Sequence, residues 1–216
     1  MNLLSKQNSF RLLSAIAICV FVAGCSANRA AVRIHGASLS FPQTTTGFVA
    51  KRPLALTIDV QSPIDSRSKH YGEQVAGSRW EGCKTDALWR DTASTILRER
   101  ISQELSSASL LDQSLSTSPP PGQLTLKSEI YAFCSQAHGF LIVRVAGIAA
   151  VKFSLEQNGK TVWERKIEHV VTDADPEYSG SQVTFLEQAM RVTMADSLRL
   201  VLRDLLRELE SYGNKQ

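Results

Sequence analysis

The chain predicts an α+β domain: a single four-stranded, mostly antiparallel sheet with two amphipathic helices packed on one face, in the order β-α-β-β-β-α. Three observations carry that expectation. Four stretches, near residues 54–60, 124–134, 140–155 and 161–172, alternate apolar and polar residues with the period of two of a strand. Two others, near 89–108 and 182–212, repeat apolar residues every three or four positions, as a helix with one buried stripe does. Strands with apolar faces and helices with apolar stripes bury one another economically in two layers.

The first strand rests on Leu54, Leu56, Ile58 and Val60, which share one face; Pro63 and Asp65 are expected to end it. From Ser66 to Gly82 the chain is polar and interrupted by glycine, and it reads as a long loop. Such loops are uncommon inside compact domains and are often functional. Thr85 or Asp86 is placed to cap the first helix. Its stripe is Trp89, Ala93, Ile96, Leu97, Ile101, Leu105 and Ala108, with Arg90, Asp91, Arg98, Glu99 and Glu104 on the other sides. The connector from Asp112 to Gln123 contains Pro119-Pro120-Pro121-Gly122, which no helix tolerates.

Leu124, Leu126, Ile130 and Ala132 set the second strand, which reaches Cys134. Phe140–Val145 and Ile148–Leu155 form a long third strand, in which Gly147 reads as a bulge or bend. Asn158-Gly159 marks a hairpin. A three-residue loop with a bulge at Gly159 would set Phe153 opposite Trp163 and Ala149 opposite Ile167. That register is preferred over a two-residue loop, which sets Phe153 opposite Glu164, because apolar cross-strand pairs are the better partners. The fourth strand, Thr161 to Thr172, ends at Asp173-Ala174-Asp175-Pro176, read as turn formers. A last helix begins near Ser181 or Gln182 and runs towards Tyr212. Leu186, Met190, Met194, Leu198, Val201, Leu202, Leu205 and Leu209 are its stripe, and Glu187, Arg191, Arg199, Arg203, Arg207 and Glu208 its wet side.

Ahead of this domain stands a leader. Lys6 and Arg11 give a positive start, Leu12 to Ala23 an apolar run, and Val22-Ala23-Gly24-Cys25 the form of a lipobox. The run is shorter than the roughly 20 apolar residues of a membrane span. The expected organisation is therefore a signal peptide over 1–24, a lipidated N-terminus and tether over 25–52, a periplasmic domain over 53–212 and a tail over 213–216. Acylation of Cys25, palmitate included, would hold the protein firmly, since each buried CH₂ contributes roughly 0.8 kcal/mol. Ser26 stands where an aspartate would signal retention at the inner membrane, which points to the periplasmic face of the outer membrane of a Gram-negative envelope. Within the tether, Val32-Arg33-Ile34-His35 with Leu39 could lay a short strand, and Thr44-Thr45-Thr46-Gly47 reads as loop.

The formal charge of +3 falls to +1 once Lys6 and Arg11 leave with the leader. With no Lys/Arg block, a nucleic-acid partner is not expected. Cys19 leaves with the leader and Cys25 takes the lipid, so Cys83 and Cys134 remain, in a compartment that oxidises thiols. A disulfide is the favoured reading; a metal site that adds His138 is the alternative, and it lacks a clustered third or fourth ligand.

His35, His70, His138 and His169 show no i, i+4 pairing of the zinc-protease kind. Gly36-Ala37-Ser38-Leu39-Ser40 lacks the final glycine of a nucleophile elbow. The expectation is accordingly no catalytic residue, no metal and no cofactor, with His169 a hydrogen-bonded core histidine. The segment from His70 to Cys83 is the best functional candidate. It concentrates Tyr71, Arg79 and Trp80, residue types that anchor interfaces. Its alternative role is a loop that Trp80 pins to the core and Cys83 ties to Cys134. The two roles are compatible, because a rigid loop binds with less ordering cost.

The element order from Leu54 to Tyr212, behind Val22-Ala23-Gly24-Cys25, resembles two groups of Gram-negative lipoproteins. One is the auxiliary lipoproteins of lipid-transporting ABC systems; the other is the lipopolysaccharide-assembly lipoprotein that plugs its outer-membrane barrel. The resemblance implies a non-catalytic accessory of an envelope or lipid-transport complex, attached through the lipid on Cys25 and binding an envelope protein or lipid. Two other expectations stand beside it. One is a periplasmic hydrolase or metal-dependent enzyme using the 66–83 loop and His138; the other is a purely structural envelope lipoprotein.

Overall fold

The computed structural model describes residues 39–51, 57–84, 88–108, 123–138, 144–173 and 182–215. Outside them lie the leader, Cys25 and His35, and also Leu54, Leu56, Thr85, Asp86, the proline run, residues 140–143, Asp175 and Pro176. In chain order the elements are β1 (Ile58–Val60), β2 (Ile64–Asp65), α1 (Ala93–Ser107), β3 (Leu124–His138), β4 (Arg144–Gln157), β5 (Lys160–Asp173) and α2 (Gln182–Gly213).

The class is α+β, as the patterns predict, with one more strand than expected. Pro63 does not end strand pairing: β2 follows it, and β1 and β2 run in succession parallel to β3. Two residues, both exposed, leave no pattern to read. β3, β4 and β5 then pair antiparallel in sequence.

The middle strand carries one extra residue. Ile130 pairs with Val151 but Ala132 pairs with Ala150, so Tyr131 is a bulge. Side chains alternate across a strand, so the bulge changes which parity faces the helices. Leu124, Leu126 and Ile130 face them before it, and Phe133 after it; together with Val151, Phe153 and Leu155 of β4 they join Leu97, Ile101, Met194 and Leu198 in one core. The opposite face carries a smaller cluster of Ala132, Cys134, Ala146, Ile148 and Ala150.

Gly147 is neither bulge nor bend. Its strand keeps register there, pairing with Ser135 and Val171. The glycine is required because α2 crosses against it: a Cβ would stand 2.2 Å from the Thr193 carbonyl carbon and oxygen. The hairpin also corrects the expected register. Asn158 and Gly159, with φ of 53° and 73°, form a two-residue turn between the paired Gln157 and Lys160. The bulge lies later, at Val162, and sets Leu155 opposite Trp163, Val151 opposite Ile167, Phe153 opposite Arg165 and Ala149 opposite His169. The register lies two residues from the expected one: Leu155 and Val151 find apolar partners, while Phe153 and Ala149 face Arg165 and His169.

α1 starts later than the stripe suggests. Thr92 is its cap, its hydroxyl accepting from the Thr95 amide at 3.2 Å. Trp89 belongs instead to a bridge with Leu39. Glu104, expected on the wet side, is buried, as is Arg100. Both are partnered by residues 39–51, which the sequence reading gave to the tether. Arg100 donates to the Pro42 carbonyl at 2.8 Å and to Gln43 Oε1 at 2.7 Å, and its guanidinium sits 5.8 Å from the Phe41 ring centre. Glu104 accepts from the Thr46 amide at 2.9 Å and from the Thr46 hydroxyl. Phe41 meets Trp89 edge-on, ring centres 4.9 Å apart. Further on, the Ala50 amide bonds the Ala108 carbonyl, and the Lys51 amide bonds Glu210 Oε1. The segment is a strap laid along α1, and it supplies the partners that buried charges require.

Candidate functional site

The loop from Ser66 to Lys84 lies on the face of the sheet away from the helices. It is held there at every few residues. At its start, Ser66 and Arg67 are buried. The Ser66 hydroxyl donates to Glu129 at 2.5 Å, and Arg67 Nη1 donates to the Phe133 carbonyl at 3.0 Å. Arg67 also donates to both Asp65 oxygens, at 2.7 Å from Nη2. Chiefly through that hydrogen bond, the Asp65 carboxyl is held below its ordinary value.

Beyond Tyr71 the loop folds on itself as a small hairpin. The Val75 amide bonds the Trp80 carbonyl, Gly82 bonds the Glu73 carbonyl, and Gln74 bridges Glu81. Ala76 and Gly77, at φ of 53° and 63°, make its turn. A glycine suits that conformation; at Ala76 it costs about 1 kcal/mol, against which the Ala76 amide bonds Glu168 of β5 at 2.6 Å. Burial works to raise the Glu168 carboxyl. Hydrogen bonds from Lys166 and the Ala76 amide, with the Lys166 charge, outweigh it and hold the group below its ordinary value.

The covalent tie is the expected one: Cys83 and Cys134 form a disulfide across 51 residues. Gln136 Nε2 donates to the Glu81 carbonyl at 2.7 Å and lies 2.9 Å from Cys83 Sγ. Both sulfurs are thereby used, and a metal site built on them with His138 has no thiolate to offer. His138 sits instead against Trp80, ring centres 4.9 Å apart, with Gln136 Oε1 3.2 Å from its Nε2.

The three candidate anchors separate. Trp80 is 4 % exposed and fills the small apolar cluster with Val75 and Ile148, so it is the residue that pins the loop. Arg79 lies outside it, its guanidinium 5.4 Å from the Trp80 ring centre. Tyr71 is 67 % exposed. The structure also brings two residues that the sequence did not single out, Tyr131 and Lys166, to His70 at the start of the candidate segment. His70 stacks on Tyr131 at 3.8 Å between ring centres, its Nδ1 3.0 Å from Glu73, and Lys166 Nζ stands 4.9 Å from the Tyr131 ring centre. No sequence signal marked them, because the bulge at Tyr131 and the pairing of distant strands bring them together.

On the helix side, His169 Nε2 lies 2.7 Å from Asp204 of α2, and the Ser197 hydroxyl donates to the His169 carbonyl. His169 is thus hydrogen-bonded, as expected, but it sits half-buried at the sheet–helix seam and not in the core. Asp173 closes β5 opposite Val145.

No family model matches the chain, and no curated protein matches it. Solved structures do. A Xanthomonas campestris protein described by the family model DUF330 superposes with a TM-score of 0.51 at 12% identity, over 82% of this chain and 96% of that one. A hypothetical protein of Chlamydia trachomatis reaches 0.43 at 12% identity, over 74% and 99%. A minor lipoprotein of Acinetobacter baumannii reaches 0.39 at 10% identity, over 74% and 95%. Of these three the first exceeds 0.5, and at that identity it speaks to the fold alone.

Proposed function

We propose that the protein is an outer-membrane-anchored, periplasm-facing lipoprotein that serves as a non-catalytic accessory of an envelope or lipid-transport complex. The observation that carries this reading is Val22-Ala23-Gly24-Cys25 behind its charged and apolar leader. The disulfide accords with an oxidising compartment. The rigid loop supports binding as the mode of action: it holds Tyr71 and Arg79 outward on a backbone that is already ordered, so a partner would meet a surface with little entropy left to lose.

Mass spectrometry of the native product tests the anchor: a diacylglyceryl cysteine at residue 25 as the new N-terminus is expected, and an uncleaved, unmodified N-terminus overturns it. A photo-cross-linker at position 71 tests the docking surface. An adduct formed in intact envelopes, absent with the cross-linker at position 160 and weakened by Arg79→Glu, is expected. No adduct above the control, with no lipid co-purifying, overturns the docking role.

A further inference from the structure

The strap decides which end of the domain the anchor holds. β1 begins at Ile58 opposite Leu124, and Leu124 lies opposite Gln157 beside the Asn158-Gly159 turn. A tether that ran free to Arg52 would therefore reach the domain at its hairpin end. The strap runs the other way. Leu39 bonds the Leu88 carbonyl before α1 starts, Thr46 reaches Glu104, and Lys51 reaches Glu210 near the end of α2. α1 returns antiparallel to the strands it joins, so its start lies at the opposite end of the sheet, towards His138 and Arg144. Between the two ends lies a strand of 15 residues, about 45–50 Å.

We infer that the bilayer faces the end of the domain carrying Leu88, Arg90, His138 and Arg144, while the Asn158-Gly159 hairpin points into the periplasm. The inference rests on acylation of Cys25. Only 13 residues, 26–38, separate that cysteine from Leu39. Whatever their path, they span at most about 45 Å. The attached end is held within that distance of the lipid, and the hairpin end stands up to a strand's length beyond it. Leu39 fixes the attachment at this end through the Leu88 carbonyl and the Arg90 amide, and Arg100 and Glu104 hold Phe41, Pro42, Gln43 and Thr46 along α1 beyond it.

The test uses the full lipidated protein in vesicles of phosphatidylethanolamine and phosphatidylglycerol that carry a headgroup-attached acceptor dye. Cys25 is acylated and Cys83 is paired with Cys134, so a donor dye goes to one introduced thiol, Arg90→Cys or Lys160→Cys. Energy transfer at position 90 about twofold or more above that at position 160 is expected from the strand length between them. Equal transfer, or more at position 160, overturns the orientation. Weakening the strap with Arg100→Ala and Glu104→Ala should narrow the difference, with Leu39 still bonded to Leu88 and Arg90. If that variant does not fold, a twelve-residue Gly-Ser insertion after Ser38 (roughly 40 Å of added reach) should lower transfer at position 90 more than at 160. An unchanged ratio after insertion overturns the proposal. Mass spectrometry of the same sample separates the two claims: unacylated Cys25 removes both, whereas acylated protein with equal transfer removes only the orientation.

Discussion

On one side of the sheet, α1 and α2 cover large side chains, among them Phe133, Phe153, Leu126 and Leu155, all essentially without solvent exposure. On the other side, a loop with no helix or long strand covers small ones, Ala132, Ala146 and Ala150 around Ile148, with Trp80 as its single large apolar contribution. The helix side is closed by shape and buried area. The loop side has less apolar surface to bury and is closed by a covalent bond, two buried polar residues at the loop's start and hydrogen bonds to strand side chains. A face that cannot supply a hydrophobic core can still be covered tightly if its cover is tied at several points.

The largest expected effect strikes the helix side. Gly147→Ala places a methyl carbon on the Thr193 backbone, which cannot swing away as a side chain could. A loss of about 4 kcal/mol or more, or failure to fold, is expected in denaturant titrations. A mild loss would mean that α2 lifts from β4 cheaply, and the helix side would not be the tight one.

On the loop side, replacing Cys83 and Cys134 together by alanine removes a cross-link over 51 residues. The chain-entropy account gives about 4 kcal/mol. Amide exchange should rise at Val75 and Gly82 while the core amides of α2 change only with global stability. Exchange rising equally on both sides would dissolve the distinction between the faces.

A smaller change sharpens the helix side. Ser128 stands between Leu126 and Ile130, buried, and its hydroxyl has no hydrogen-bond partner among the described residues. Ser128→Ala should gain about 1 kcal/mol, read as a higher midpoint in denaturant. A loss instead would show that the hydroxyl is hydrogen-bonded in solution.

The smallest effect is acid sensitivity of the loop. Asp65 and Glu168 titrate below their ordinary values of 3.8 and 4.5 in the folded protein. Their contribution is fully present above those values and is lost as pH falls through the lowered folded ones. Trp80 fluorescence followed from pH 7 to pH 2 should change in that acid range, before the helical signal does. A change complete well above the ordinary carboxylate range would rule out these two carboxyls as its cause.

Periodicity exposed most of the fold and little of the loop. β3, β4, β5 and α2 were legible because each is long and carries its apolar residues at strand or helix spacing over a dozen residues or more. β2 was not, being two exposed residues. Trp89 was misplaced because its spacing from Ala93 fits a helix, while its backbone pairs with Leu39. Arg100 and Glu104 look like any solvated helix face in sequence; only the strap, 57 and 58 residues away, makes them buried. At the candidate site, Cys83 with Cys134 was legible from compartment and count. Tyr131 and Lys166, which meet His70 there, were not, because contacts between strands that meet only in the folded sheet leave no local trace.

The additional residue in the middle strand reaches further than its own kink. Pair Tyr131 as an ordinary strand residue, so that strict alternation runs through it, and the sulfur of Cys134 would emerge among the helices, out of reach of its bonding partner. One unpaired amino acid therefore determines that the oxidised staple closes the outer surface, and absorbing it into the ladder would unfasten a loop whose own sequence had not changed.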